Sequence, residues 1–405
     1  MNVTLRPALP LLLAAACIEH HAPSETSPVV FDHVNVQFDD RNGFFPTLFL
    51  EGATGVHVVY LSPDVFDYAF PGKLTYAGCA GGCEDAASWN WGSFDSSVVS
   101  HPAAVLTSTG AHAAYVVQPD ENVDSGVVRV ATCEAQCARA GGWRTVDVAV
   151  AGGFEEETMA LTSDASGTLY LAFTDSRPST GATRVRVLRC DTGCAIPSNF
   201  RAVTVDSFPK TSYWTYVSLS SSAMIVDPAG RVHLAFGAYN QGRLIVYATC
   251  GGVCATRESW HVVTLDSSSA WYGPPAIALT PSGGLVVAFG RTDSTIVMFC
   301  DAACEDQHNW RSVSPLARAG GTALSVGPGG ELHLVVEAHG FNVRGLTYGR
   351  CLHACDVASN WAATILDTAA SDIAGANGLS IALDQQDNPR IAYSYWSVIR
   401  LSILR

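Results

Sequence analysis

Apolar positions in this chain come in short runs that repeat. Val56 to Tyr60 (VHVVY), Ala111 to Tyr115 (AHAAY), Leu169 to Phe173 (LYLAF), Val232 to Phe236 (VHLAF), Leu285 to Phe289 (LVVAF) and Leu332 to Val336 (LHLVV) are nearly continuous apolar segments. Most follow a Gly within three residues, and their length and β-branched or aromatic content predict buried strands. Alternating runs follow each, such as Lys73 to Cys79, Val128 to Cys133, Arg184 to Cys190, Arg243 to Cys250 and Leu346 to Cys351. In the copy ending at Asp266, a strand near Ala223 to Val226 leads through the turn Asp227-Pro-Ala-Gly230 to Arg231–Gly237, then Arg243–Cys250, then Trp260–Asp266. The unit therefore holds four short strands.

A punctuation mark closes each third strand, C-x3-C-x5-W. It begins at Cys79, Cys133, Cys190, Cys250, Cys300 and Cys351, with second cysteines at Cys83, Cys137, Cys194, Cys254, Cys304 and Cys355. The aromatic is Trp89, Trp143, Phe200, Trp260, Trp310 and Trp361, and successive copies lie 54, 57, 60, 50 and 51 residues apart. That period, with four strands per repeat, predicts an all-β fold, a β-propeller. After Asp367 the chain offers three strands and stops, while Val29 to Asp39 reads as a fourth strand with nothing before it. Together the two ends make a seventh blade, so we expect a seven-bladed β-propeller of four antiparallel strands per blade, closed by the N-terminal strand.

Charge changes the picture only by exclusion. Lys plus Arg number 23 against 37 Asp plus Glu, a formal charge of −14 with no basic run, which argues against nucleic acid as a partner. Of 13 cysteines, twelve form the six pairs, and in an exported chain these read as local disulfides rather than zinc or iron–sulfur ligands. The thirteenth, Cys17, ends an apolar segment after Arg6 that reads as a signal peptide, residues 1–17, followed by a polar tether, 18–28, and one propeller domain, 29–405.

Six-fold repetition also removes candidates from the functional list. The repeated Trp reads as a packing residue between neighbouring blades, and His57, His112, His233 and His333, at one position of the second strand, read as packing or hydrogen-bonding residues. Function is expected where the repeat breaks, in loops from fourth to first and from second to third strands. Tyr213, Trp214, Tyr216, Trp271 and Tyr272 lie in consecutive fourth-to-first loops and suit either stacking on sugars or a partner's apolar anchor, or else belong to loops folded over the hub to seal it. Tyr68, Arg177 and His339 add binding candidates. The acidic loops contribute Asp64, Asp67, Asp120, Glu121, Asp124, Asp175 and Glu155 to Glu157, of which Asp67 and Glu156 are the candidate catalytic carboxyls. Most of these carboxyls read as a solvated acidic rim; no cofactor is required by any motif, and a calcium ion held by clustered carboxylates is the sharper alternative.

The phrase D-x-x-G-x-V-H-L-A-F followed by L-x-Y-A, as in Asp227 to Tyr247, resembles the repeats of bacterial sialidase-like (BNR-type) propellers. The resemblance implies the blade and not the chemistry: the Asp turns fall between first and second strands, and the sialidase Arg-Ile-Pro is missing. The end of the leader, with small residues before Cys17, resembles the lipobox of bacterial lipoproteins, which implies a lipid anchor in the cell envelope; an ordinary cleaved signal or short membrane anchor is the alternative. The expected function is a monomeric, non-catalytic propeller at the cell surface or in the periplasm, binding a glycan or an envelope protein. The rivals are a glycan-active hydrolase or lyase and a scaffold subunit of an envelope assembly.

Overall fold

A computed structural model describes residues 31–38, 43–63, 72–118, 125–152, 159–176, 181–210, 215–239, 242–268, 273–317, 320–338, 345–367, 378–395 and 398–405. Among them the regular structure is antiparallel strand, with one-turn 3-10 segments after the cysteine hairpins. The strands form six sheets: four of four strands, one of five and one of eight. The eight-stranded sheet is two four-strand units, within 44–98 and 103–151, joined by the single pair Val98↔Val117. The following units lie within 159–209, 216–268, 276–316 and 322–367, and a seventh combines 379–404 with 33–37.

The four positions within a unit differ in burial, and the sequence pattern follows from this. A second strand has neighbours on both edges and on both faces, so Val56 to Leu61 and Leu169 to Asp175 are buried throughout. The fourth strand lies outermost, and Trp143–Ala151 is buried only at its two ends. Where a strand faces protein on both sides there is no polar face to alternate with, hence the continuous apolar runs.

Each Cys pair closes the hairpin between third and fourth strands as a disulfide with Cα atoms 5.7 to 5.8 Å apart. The Trp that follows packs against the preceding unit: Trp89 stacks on Phe38 and Trp143 on Phe94, both at 4.1 Å, and Trp310 meets Tyr247 edge-on. Its indole N–H donates to the second cysteine's carbonyl at 2.7 to 3.1 Å in four units. The fourth unit departs from this. There the left-handed backbone position moves from the residue before the second cysteine to Gly252 and Cys254, and Trp260 Nε1 finds no acceptor among the described residues. The carbonyls of Gly252 and Val253 instead accept from Arg189 of the preceding unit, at 3.1 and 3.2 Å.

The two chain ends meet in one sheet. His33–Gln37 pairs antiparallel with Val398–Leu404, His33 opposite Leu404 and Gln37 opposite Arg400. The first strands of successive units touch in chain order, and Leu379–Leu383 of the seventh touches Phe44–Glu51 of the first. One strand differs from expectation. The first strand of the fourth unit is split into Tyr216–Ser218 and Met224–Val226, both paired with Val232–Tyr239, because Leu219 to Ala223 bulge out opposite Ala235 and Phe236. Tyr216 is therefore a strand residue rather than a loop residue.

Candidate functional site

Antiparallel register fixes which loops share an end of the molecule. Tyr216 opposite Tyr239, and Arg243 opposite Ser268, put the fourth-to-first and second-to-third loops at one end; the turns between first and second strands and the cysteine hairpins lie at the other. Of the repeat-breaking residues, Tyr216 and Asp175 are described, and both lie at this loop end. Asp67, Tyr68, Glu156, Arg177, Tyr213, Trp214, Trp271, Tyr272 and His339 lie outside the described residues, as do Cys17, Asp64, Asp120, Glu121, Asp124, Glu155 and Glu157.

Tyr216 stacks on its cross-strand partner Tyr239, ring centres 5.5 Å apart and 18° from parallel, and Arg243 lies over the Tyr239 ring at 5.4 Å. All three side chains are half-buried. Flat aromatic faces capped by a guanidinium suit a sugar ring bearing hydroxyl or carboxylate groups. In the third unit Asp175 is fully buried with Arg186 Nη1 3.6 Å from its carboxylate, and that guanidinium also covers the Phe173 ring. Lys210 Nζ closes the same corner by donating to the Ser176 carbonyl. Glu337, at the loop end of a second strand in the sixth unit, is also fully buried.

Sequence reading missed a second aromatic feature of this end. Phe45 takes a left-handed backbone conformation, φ 55°, its N–H donating to Ser394 Oγ at 3.2 Å, and its ring stacks on His101 at 3.5 Å. A non-glycine residue held at positive φ is strained, and such strain gathers where ligands bind. His101 as a residue is half-buried, but its imidazole is desolvated, which pushes it down to about 3 and keeps it neutral. The signal available in the sequence was Phe44-Phe45-Pro46 and His101-Pro102, two motifs outside the repeat consensus.

The repeated histidines carry a polar network at the hairpin end. His57, His233 and His333 meet the hydroxyls of Tyr76, Tyr247 and Tyr348 through Nδ1 at 2.5, 2.7 and 2.7 Å. Their Nε2 atoms meet Glu51, Asp227 and Asp387 at 3.1, 3.5 and 3.4 Å. Desolvation lowers all three imidazoles and raises the phenols, Tyr76 to about 12. Threefold occurrence in one role marks hydrogen bonding within the scaffold, as the shared position predicts. Among the described residues no group of His, Cys, Asp and Glu is arranged to hold a metal, and no helix is long and apolar enough to cross a membrane.

No protein-family model and no curated protein sequence matches the chain. Solved structures do, over nearly its whole length. An ulvan lyase bound to -[GlcA(1-4)Rha3S]- matches with a TM-score of 0.56 at 10% identity, covering 91% of this chain and 95% of that one. An α-L-arabinofuranosidase from Fusarium graminearum in complex with an iminosugar inhibitor gives 0.54 at 10%, covering 93% and 98%. An α-L-arabinanase from Penicillium chrysogenum with arabinobiose gives 0.53 at 10%, covering 89% and 98%. The likeness shows a propeller-type, all-β fold. It also corrects the functional expectation: these neighbours and a further polysaccharide lyase are enzymes, which favours the glycan-active reading over a non-catalytic binding propeller. A missing sialidase motif excludes one chemistry on this scaffold and leaves others open.

Proposed function

We propose that this chain is an exported seven-bladed propeller that cleaves a glycan, as a glycoside hydrolase or polysaccharide lyase, with its chemistry at the loop end. The observation that carries the reading is the whole-chain likeness to enzymes acting on arabinose-containing and uronate-containing glycans. The contact order of the first strands, returning from the seventh unit to the first, supports a closed ring, and the blade phrase keeps its sialidase-like resemblance. Six disulfides are consistent with an exported protein. Lipidation of Cys17 would hold it to the cell envelope.

Asp67 and Glu156 are assigned the acid and base roles. Hydrolysis by two carboxyls requires a separation of roughly 5 to 10 Å. Tyr68, Arg177, Tyr213, Trp214, Tyr216, Trp271, Tyr272 and His339 are assigned to saccharide binding, with calcium an optional ligand of the acidic loops. The test is to incubate the protein with arabinans, ulvan and other uronate polysaccharides, reading reducing ends and unsaturated uronides separately. Product that disappears in Asp67→Asn or Glu156→Gln supports the reading; a panel without product, from protein that still binds one of the polymers, overturns it.

A further inference from the structure

The cysteine hairpin of the second unit departs from its copies in a way the loop-end reading does not use. Gly141 and Gly142 stand where the third, fifth and sixth units have Ser198-Asn199, His308-Asn309 and Ser359-Asn360. Those asparagines donate to hairpin carbonyls, as Asn309 Nδ2 does to Ala303 at 2.9 Å and Asn360 Nδ2 to Ala354 at 3.0 Å. Gly142 has no side-chain amide to offer, and the carbonyls of Gln136 and Ala135 sit 2.6 and 3.1 Å from where its Cβ would be. Beside them opens a groove of about 490 Å³ whose lining includes Arg139, Arg144, Gln136 and Glu134. That volume is within the range of about 300 to 1,000 Å³ typical of small-ligand sites.

Among the described residues, neither guanidinium in this groove forms an ion pair. Elsewhere at the hairpin end Arg189, Arg231, Arg311 and Arg405 each hold a carboxylate at 2.5 to 3.0 Å, and Arg201, at the register position of Arg144 one unit on, is a lone exposed guanidinium with no carboxylate among the described residues. Arg139 instead donates to Gln136 Oε1 at 2.9 Å, which orients it, and Gln136 is itself held at φ 59°. Arg144, exposed on the neighbouring strand opposite Thr132, meets no carboxylate among the described residues. In a chain of formal charge −14, an arginine pair left in a concavity selects an oxyanion ligand. Glu134 in the lining and the Gln136 and Ala135 carbonyls accept hydrogen bonds, and so favour an anion carried on a hydroxylated body over inorganic phosphate.

We infer that this groove is a second saccharide site, taking the carboxylate or sulfate of an acidic sugar on Arg139 and Arg144, at the opposite end from the cleavage site. It rests on the glycan-active reading for its biological sense, but binding here is separable from turnover. The experiment is affinity electrophoresis of the full chain through gels holding a uronate polymer, a sulfated polymer or a neutral arabinan, with inorganic phosphate and phosphatidylglycerol vesicles as competitors. Retardation by an acidic polymer is expected to weaken about tenfold in Arg139→Ala/Arg144→Ala, the two contacts together being worth about 1.4 kcal/mol or more. Gly141→Tyr, which fills open space at a site with nothing within 4 Å of its Cβ, is expected to weaken it equally. Cleavage of short soluble substrates should not change in either variant. Retardation unaltered in both variants, equal retardation by arabinan, or displacement by phosphate or vesicles at concentrations matching the polymer's would overturn the assignment; loss of cleavage in Asp67→Asn with retardation intact bears only on the loop end.

Discussion

Tyr115 donates a 2.5 Å hydrogen bond to Asp95 Oδ2 across the boundary between the first two units, and Arg129 Nη1 meets the same oxygen at 3.0 Å. The same three residue types recur where the sixth unit meets the seventh, Tyr393 and Arg400 both reaching Asp367 at 3.0 Å. The third and fourth units carry Phe173 and Phe236 at the tyrosine's position, so the ring fits there without its hydroxyl. Tyr115→Phe should therefore delete one charge-assisted hydrogen bond and nothing else, costing about 2 kcal/mol in chemical denaturation. Burial, then the Asp95 carboxylate, raises the Tyr115 phenol above its ordinary value. A raised folded-state value means stability is intact below pH 10 and falls as pH climbs past it, since the unfolded chain ionises first. Tyr115→Phe should blunt that alkaline loss; an unchanged pH curve would refute the linkage.

Acid acts through the histidines, with the opposite sign. His112 is buried between Thr107 and Thr132, and desolvation lowers it to about 4. Because the folded value is depressed, stability is full above pH 6.5 and declines as pH falls toward 4, where the unfolded chain binds a proton that the fold refuses. His112 alone should contribute a loss of about 2 kcal/mol by pH 5. Melting temperature followed from pH 7.5 to 5 in wild type and His112→Asn should show a smaller drop in the variant.

The disulfide hairpins allow a comparison inside one molecule. Trp310 Nε1 donates to the Cys304 carbonyl at 2.9 Å, whereas Trp260 Nε1 has no acceptor among the described residues. Replacing each by Phe removes similar apolar area, but only Trp310→Phe also breaks a hydrogen bond. It should be the costlier substitution by about 1 kcal/mol. Removing the disulfides, on the loop-entropy account, should cost about 2 kcal/mol for each five-residue loop. Urea midpoints of the two Trp variants, with and without reductant, measure both; equal Trp costs would mean the indole hydrogen bond contributes nothing.

These comparisons also show what the sequence could and could not reveal. Every unit must bury the same strand faces and close the same hairpin, so Cys79-x3-Cys83-x5-Trp89 and its copies were readable from spacing, as was the pairing of His33–Gln37 with the last strand. The Tyr76–His57–Glu51 network was only half legible, because the phenol lies on a different strand from the imidazole and only register brings them together. Phe45 and His101 are 56 residues apart and meet through a backbone conformation no periodicity encodes. The same holds for Arg139 and Arg144: their significance lies in sharing one groove with no ion-pair partner among the described residues, which appears only when the hairpins are seen in space.

The strand contributed by the N-terminal segment gives the last test. His33–Gln37 covers the edge of Val398–Leu404, and Phe38 beyond it stacks on Trp89 of the first unit at 4.1 Å. Deleting residues 1–38 would uncover the N–H and C=O groups of the last strand and the face of Trp89 that Phe38 covers, and an open edge of that kind recruits other strands. The truncated protein should melt at lower temperature and associate with rising concentration, seen by light scattering. A synthetic peptide of residues 29–40 added in trans should restore the melting temperature and suppress association, because it supplies the same register. Truncated protein that keeps its melting temperature and elutes unchanged at all concentrations would show that the seventh unit is held without that strand.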